Sequence, residues 1–172
     1  MTMSRVKGTT GISILGVTGP GPDADAVRDL FLEYGESLGF NTCFGGFEQE
    51  VISLPGEYAP PSGLLLLAKE NGNRAGCVAL RPLDATACEM KRLYVRPAFR
   101  GTGLGRRLAE AAVAHARAAG YRRICLDTLP AMQEARALYA SLGFKACAPY
   151  YDNACVGSDC FELKLESVTS DQ

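Results

Sequence analysis

The hydrophobic pattern of the first 62 residues changes from strand periodicity to helix periodicity. Residues 11–17 alternate apolar and small side chains, which predicts a first strand, and 18–22 form a glycine- and proline-rich turn. Asp23 is the expected N-cap of a helix that ends at Gly39 and whose apolar positions follow helical spacing: Val27, Leu30, Phe31, Tyr34 and Leu38. Residues 43–54 predict a second, short helix, and 57–62 a proline-rich loop.

Residues 63–95 have the pattern of an antiparallel meander. Leu64–Lys69 is an apolar run typical of a buried strand, and Asn71 followed by Gly72 is a strong signal for a two-residue hairpin turn. Gly76–Arg81 is the predicted returning strand. A further turn at 82–85 leads into a third strand over Ala87–Val95.

Residues 96–165 alternate between helical and strand patterns. A long helix that stops at Gly120 has one face formed by Leu104, Leu108, Ala111, Ala112, His115 and Ala119. Strands are predicted over 123–128, 145–150 and 160–165, and a helix opened by Pro130 and closed by Gly143 lies between the first two. This order requires a parallel crossover, so we expect an α+β fold with a mixed, mostly antiparallel central sheet and helices on both faces. Residues 1–172 form one predicted domain, with a flexible tail at 167–172.

Composition and charge exclude several classes of function. Hydrophobic residues make up 47% of the chain, and 19 acidic residues nearly balance 18 basic ones, so we expect no nucleic-acid or membrane partner. No stretch approaches the ~20 apolar residues of a membrane span, and the N-terminal apolar run is too short for a signal peptide. The cysteines form no C-x-x-C pair and predict reduced thiols in a cytoplasmic protein, with Cys77, Cys88 and Cys125 inside strands. The single histidine, His115, is far from any cysteine pair, so no metal site is expected.

A glycine-rich loop at Arg100–Gly105 (RGTGLG) lies between a predicted strand and the long helix. Backbone N–H groups at a helix start are unpaired and the helix dipole is positive there, so the loop suits a phosphate group. The nucleotide P-loop requires Lys and then Ser or Thr after its last glycine, and the dinucleotide fingerprint requires G-x-G-x-x-G; the spacing here matches neither. Taken alone, the loop is consistent with a phosphate-bearing ligand or with a plain glycine turn.

Two segments together narrow this choice. Val95–Leu108 (VRPAFRGTGLGRRL) contains the loop, and Ala135–Phe144 (ARALYASLGF) follows downstream. Their combination strongly resembles the GNAT superfamily of acetyl-CoA-dependent N-acetyltransferases, and the resemblance covers residues 63–165. It implies about seven strands and four helices, acetyl-CoA as co-substrate, and acetyl transfer to a primary amine of a small molecule or peptide. A non-catalytic acyl-CoA-binding module is the alternative function, and a homodimer is one expected state because GNAT proteins are often dimers.

The resemblance also assigns residues to the cofactor. In this family the strand before the glycine loop carries a bulge that splays it from its neighbour, and the pantetheine arm lies in that gap. Backbone contacts are therefore assigned to Leu93, Tyr94 and Val95. The pyrophosphate would lie on the loop and first helical turn, formed by Arg100, Gly101, Thr102, Gly103, Leu104, Gly105 and Arg106. Met132 stands where the family often has an asparagine that contacts the pantetheine, so that contact is expected to be apolar or to come from Thr128.

Two residues match catalytic positions of the family. Tyr139 is the tyrosine that usually directs its hydroxyl at the CoA sulfur, where it would protonate the departing thiolate. Glu89 stands where several members place the general base, and a backbone amide near Tyr94 or Val95 would bind the carbonyl oxygen. The alternatives are that Tyr139 only packs in the core, and that Glu89 pairs with a neighbour such as Lys91 or with a cross-strand partner while water chains accept the proton. His115 lies on the apolar face of the long helix, so we expect it in the core or at its boundary rather than in a catalytic role.

GNAT acceptors enter opposite CoA, between the first helices and the final hairpin. In this chain that region contains Glu33, Tyr34, Tyr150, Tyr151, Asp152 and Asn153. Their phenol, carboxylate and amide groups would suit a small polar or cationic amine. The alternative is an ordinary hairpin connection whose tyrosines pack on the sheet.

Overall fold

Seven strands and four helices form the part of the chain that the computed structural model describes, residues 11–39, 46–150 and 157–166. The strands are β1 Ile12–Gly16, β2 Leu64–Glu70, β3 Asn73–Pro82, β4 Ala87–Val95, β5 Arg123–Thr128, β6 Lys145–Cys147 and β7 Asp159–Lys164. The helices are α1 Pro22–Ser37, α2 Phe47–Ile52, α3 Leu104–Ala118 and α4 Gln133–Ser141.

One sheet contains all of these strands, in the order β1-β2-β3-β4-β5-β7-β6. Neighbouring strands are antiparallel except β4 and β5, which are parallel because α3 connects them across one face. The predicted α+β fold and the meander over β2, β3 and β4 are confirmed. Asn71 and Gly72 both have positive φ, 50° and 80°, as the predicted two-residue hairpin turn requires.

Each face of the sheet carries its own apolar core. On one face α1 and α2 pack on β2, β3 and β4, with Val27, Leu30 and Phe31 fully buried. On the other face α3 and α4 pack on the sheet, and Leu108 and Ala112 lie at the centre. Helices on both faces therefore leave only the ends of the strands and their splayed edges for a ligand.

Several predicted boundaries are wrong. Helix α1 begins at Pro22 with Gly21 as its N-cap, because proline at the first helical position needs no hydrogen-bond acceptor for its nitrogen. Helix α4 begins at Gln133 rather than Pro130, since Met132 donates to the carbonyl of Leu129 in a turn before it (3.0 Å). Strand β6 ends at 147 instead of 150, and the second helix starts at 47 rather than 43.

The cysteine prediction is confirmed for the three strand positions, since Cys77, Cys88 and Cys125 are buried free thiols. Cys43 and Cys155 lie outside the described residues, as do the predicted tail at 167–172 and three of the proposed acceptor residues, Tyr151, Asp152 and Asn153. Among the described helices, none combines the length and the apolar character needed to cross a membrane.

Candidate active site

Strand β4 carries a bulge at Arg92. Its neighbour β3 pairs Cys77 with Tyr94 and Ala79 with Lys91, so β4 has one residue more than β3 between these pairs. Arg92 accommodates the extra residue with a left-handed φ of 60°, a conformation uncommon for residues other than glycine. The sequence motif thus located the bulge in the correct strand.

Beyond its first three residues, β4 separates from β5. The two strands pair only from Ala87 to Glu89, opposite Arg123 to Cys125. From Met90 onward the edge of β4 that faces β5 has no partner among the strands that the structure describes. This edge opens into a cleft of about 660 Å³ between β4, the start of α3 and the start of α4.

The glycine loop closes one end of this cleft. The backbone N–H groups from Gly101 to Arg106 have no hydrogen-bond acceptor in the described part of the chain, and α3 has no side-chain N-cap. Gly101 and Gly103 have φ of 80° and 81°, which only glycine adopts readily, and a Cβ on either would point into open space. The loop therefore presents a row of unpaired donors at a helix N-terminus, which is an anion site.

Most residues assigned to the cofactor line the cleft: Leu93, Tyr94, Val95, Arg100, Gly101, Gly103, Leu104 and Gly105. Thr102 and Arg106 are not among its lining residues. Their side chains bind protein groups instead: Thr102 Oγ1 donates to the Phe99 carbonyl (2.9 Å), and Arg106 Nη2 donates to Ser141 (2.5 Å). Their assignment to the cofactor thus depends on their backbone N–H groups.

The α4 wall of the cleft was only partly anticipated. Met132 lines it, together with Ala131, Gln133 and Ala135. Thr128 does not line it; its hydroxyl is buried at the end of β5 and has no hydrogen-bond partner among the described residues. Met132 therefore lies in the cleft wall at the position where the family motif often has an asparagine.

Two buried tyrosines lie close to each other, and of the two only Tyr34 is among the residues that line the cleft. Tyr139 of α4 is buried against Phe144, with ring centroids 5.7 Å apart, and burial raises its pKa well above the usual phenol value. Tyr34 of α1 lines the cleft, and burial raises its pKa to about 12. The carboxylate of nearby Asp127 also disfavours a phenolate at either tyrosine. Both hydroxyls therefore keep their protons near neutral pH.

Glu89 is held by side chains from two other elements. Its carboxylate is 2% exposed, accepts a hydrogen bond from Arg81 Nε of the paired strand (2.6 Å) and another from the Tyr150 hydroxyl (2.5 Å). The cross-strand partner anticipated as an alternative to the catalytic role is thus Arg81. The structure also brings Tyr150, one of the proposed acceptor residues, directly to Glu89.

A network around Glu50 was missed by sequence reasoning. Glu50 of α2 forms a bidentate pair with the bulge residue Arg92 (2.9 and 3.2 Å) and accepts a hydrogen bond from Tyr58 (2.7 Å). Burial opposes ionisation of Glu50, yet the hydrogen bonds from Arg92 hold its pKa below the usual value. We call Glu50, Glu89, Lys91 and Arg92 the polar face of β4, because ion pairs join Lys91 to Glu89 and Arg92 to Glu50.

Two further residues fix the geometry of the end of β4. Glu33, a proposed acceptor residue, forms an ion pair with Arg96 (Nη2–Oε1 2.5 Å) and so ties α1 to the end of the strand. Gly76 of β3 was not singled out, although a lone glycine inside a strand often marks a close backbone approach. A Cβ at Gly76 would lie 2.6 Å from the carbonyl oxygen of Tyr94, so glycine is needed where β3 meets the bulge.

The arrangement of splayed strand, bulge and glycine loop agrees with a family comparison. A model of the acetyltransferase (GNAT) family matches residues 25–144. The chain belongs to the GNAT family. As a member of this family it is an acyltransferase.

Individual GNAT proteins support the assignment. An uncharacterised N-acetyltransferase of Schizosaccharomyces pombe is 40% identical over 144 residues, which cover 83% of this chain and 88% of that protein. A crystal structure of an acetyltransferase from Streptococcus agalactiae has the same fold, with a TM-score of 0.76, 22% identity, and coverage of 91% of this chain and 100% of the other. A GNAT acetyltransferase from Elizabethkingia anophelis with acetyl-CoA bound has a TM-score of 0.64 at 23% identity, over 91% of this chain and 100% of its own.

Proposed function

We propose that this GNAT protein transfers the acetyl group of acetyl-CoA to a primary amine by direct attack of the amine on the thioester. The observation that carries the proposal is the continuity of two features: the edge of β4 that no described strand pairs, and the amides of Gly101 to Arg106, which have no acceptor among the described residues. An extended amide-containing arm suits a strand edge, and a pyrophosphate suits a helix N-terminus. Few ligands other than coenzyme A combine these two parts.

The residues present fit this ligand. The loop amides are donors that the described chain leaves without acceptors, and the start of α4 supplies an apolar wall at Met132 and Ala135. The acetyl-CoA bound to the Elizabethkingia anophelis protein of the same fold supports the choice of acyl donor.

The bulge has a direct role in the proposed reaction. Acetyl-CoA supplies a thioester carbonyl whose oxygen gains negative charge when the amine attacks. We assign the stabilising donor to a backbone N–H near Tyr94 or Val95, because β4 turns its edge away from β5 along this stretch. A fixed backbone donor requires no reorganisation during the reaction.

Tyr139 is assigned as the acid that protonates the leaving sulfur. The raised pKa keeps a proton on its hydroxyl near neutral pH, and no described residue accepts a hydrogen bond from that hydroxyl. The rigid packing of its ring against Phe144 fixes the direction of the donor. Tyr34 is a second phenol near Tyr139, and it lines the cleft on the side where we propose that the acceptor binds.

Glu89 and Tyr150 are assigned together as the base. The Tyr150 hydroxyl donates to Glu89 Oε2, so it can accept a proton from the ammonium of the acceptor while passing its own to the carboxylate. Arg81 holds the other carboxylate oxygen and keeps Glu89 in place. This arrangement gives Glu89 a proton route even though its carboxylate is almost completely buried.

Thiol release from acetyl-CoA, measured over a panel of amines and peptides, tests the function. We expect turnover with at least one amine and calorimetric binding of acetyl-CoA at micromolar to millimolar concentration. Tight acetyl-CoA binding without turnover of any amine would instead favour the non-catalytic acyl-CoA-binding module. Absence of acetyl-CoA binding would contradict both.

A further inference from the structure

Among the described cations on and beside the polar face of β4, the ammonium of Lys91 has the longest ion pair. Arg81 donates to Glu89, and Arg92 forms its bidentate pair with Glu50. Lys91 Nζ lies 3.9 Å from Glu89 Oε1, beyond hydrogen-bond distance, and donates no hydrogen bond to any residue that the structure describes. Its positive charge is therefore the least compensated on this face.

The nearby carboxylates are already committed to other donors. Each oxygen of Glu89 accepts a hydrogen bond, one from Arg81 and one from Tyr150. Glu50 accepts hydrogen bonds from Arg92 and Tyr58. A shift of either carboxylate toward Lys91 would break one of these bonds, so neither of these two carboxylates supplies a better counter-ion.

Burial makes this charge costly for the free protein. The side chain of Lys91 is only 21% exposed, and its pKa is lowered, first by burial and then by the adjacent charge of Arg92. An anion that enters from solvent would lower this cost by pairing with the ammonium. Lys91 also directly precedes the bulge at Arg92, so that anion would bind beside the proposed reaction centre.

We infer that Lys91 binds a carboxylate of the acceptor, and that the acceptor is an amino acid or another small amine that carries a carboxylate. The inference deepens the proposed function and rests on it. In a regular strand the Cα atoms of Lys91 and Leu93 would be about 7 Å apart, at about 3.3 Å per residue, and the left-handed Arg92 between them makes the separation shorter. The lysine side chain and a short amino acid together span this distance, with the amine toward the bulge and the carboxylate toward Lys91.

Matched acceptor pairs that differ only in the carboxylate test the inference. Thiol release is measured with phenylalanine against phenethylamine, and with 4-aminobutyrate against propylamine, for the wild type, Lys91→Met and Lys91→Arg. For at least one pair we expect the wild type to favour the amino acid in kcat/KM by about 10- to 100-fold, the range for a hydrogen bond to a charged group. Lys91→Met should lose this preference by slowing the amino acid alone, and Lys91→Arg should keep part of it.

Lys69→Met is the matched control, because Lys69 of β2 is similarly exposed (29%) but already pairs with Asp23 (3.2 Å). It should leave the preference unchanged. A wild type that favours the plain amines, or a Lys91→Met variant that slows both members of a pair equally, would overturn the inference.

A binding measurement separates failure of this inference from failure of the proposed function. In the presence of CoA, N-acetylphenylalanine should raise the melting temperature of the wild type, N-acetylphenethylamine should not, and Lys91→Met should abolish the difference. If no amine is turned over but this pattern appears, the carboxylate site stands and the catalytic proposal fails. If neither compound stabilises the protein, or both do equally, the carboxylate site is refuted.

Discussion

The glycine loop and the polar face of β4 differ in whether their polar groups already have hydrogen-bond partners. Within the part of the chain that the structure describes, the loop leaves the N–H groups of Gly101 to Arg106 unpaired, and all of these donors come from one short stretch of chain. On the polar face each carboxylate already has two donors, and the partners are far apart in sequence: 42 residues for Glu50 and Arg92, and 61 for Glu89 and Tyr150. Backbone groups from a local motif thus form the proposed acetyl-CoA site, whereas side-chain pairs between residues far apart in the sequence form the proposed site for the amine acceptor.

The largest expected effect comes from Tyr139→Phe, which removes the hydroxyl of the assigned acid. Loss of the assigned acid should lower kcat by about 100-fold or more, within the usual range for general acid catalysis, with little change in acetyl-CoA binding. Because burial raises the pKa of Tyr139, its deprotonation should cause no fall in wild-type kcat below about pH 10. Steady-state kinetics over pH 6 to about 10 check both points.

Tyr121→Phe provides the control for this variant. Tyr121 is also buried, and its hydroxyl donates to the carbonyl of Ser62 (2.8 Å) away from the cleft. It should lose some stability but keep kcat. An unchanged kcat in Tyr139→Phe would leave only the core-packing role for this residue.

A charge placed in the glycine loop tests whether its amides bind an anion. Gly103→Asp should raise the KM for acetyl-CoA by about 10- to 100-fold, because the carboxylate competes for the same donors and repels a pyrophosphate. Gly120→Asp is its match at the other end of α3, since Gly120 has a similar φ (87° against 81°) and equally open surroundings. Equal KM values for the two variants would argue against the anion site.

The contact behind the bulge can be tested by Gly76→Ala. The added Cβ would meet the Tyr94 carbonyl oxygen at 2.6 Å, and backbone atoms cannot move away as a flexible side chain can. We expect a loss of about 1–3 kcal/mol in the free energy of unfolding, typical of overpacking. Urea denaturation should show a smaller loss for Gly16→Ala, a strand glycine with open space around its Cβ position. A Gly76→Ala variant as stable as Gly16→Ala would contradict the close approach.

The smallest expected effect is a difference in stability between two variants at Arg92, which distinguishes the backbone strain of the bulge from its side-chain contacts. Arg92→Gly and Arg92→Ala both remove the pair with Glu50, but only alanine retains the cost of the left-handed φ of 60°. Arg92→Ala should therefore be about 1 kcal/mol less stable than Arg92→Gly in urea denaturation. Equal stabilities would mean that the bulge relaxes when the side chain is removed.

The parts of the fold and site with local signals could be predicted from the sequence. The Asn71-Gly72 turn, the extent of β4 and the glycine loop are set by residues that are neighbours in the chain, and each lies where the pattern indicated. The start of α4 was misplaced because Pro130 suits both a first helical turn and the turn that precedes α4 here.

The polar face could not be predicted in the same way. Nothing in the spacing of Glu50 and Arg92, or of Glu89 and Tyr150, indicates a contact, because the sheet and α2 bring them together. Gly76 did have a signal, as an isolated glycine in a strand pattern, but its purpose depends on the register with Tyr94. Local patterns therefore located the proposed acetyl-CoA site. The arrangement of charges around the proposed amine site could be seen only in the tertiary structure.

Amide hydrogen exchange with and without CoA tests the central claim most directly, because it follows the individual donors that the proposal uses. We expect CoA to slow exchange at the amides of 101–106 and along 90–95 of β4, with no comparable change in β1 or β2. Gly103→Asp should weaken the protection, whereas Gly120→Asp should not. CoA binding that leaves the amides of 101–106 unprotected would contradict the assignment of the glycine loop as the pyrophosphate site.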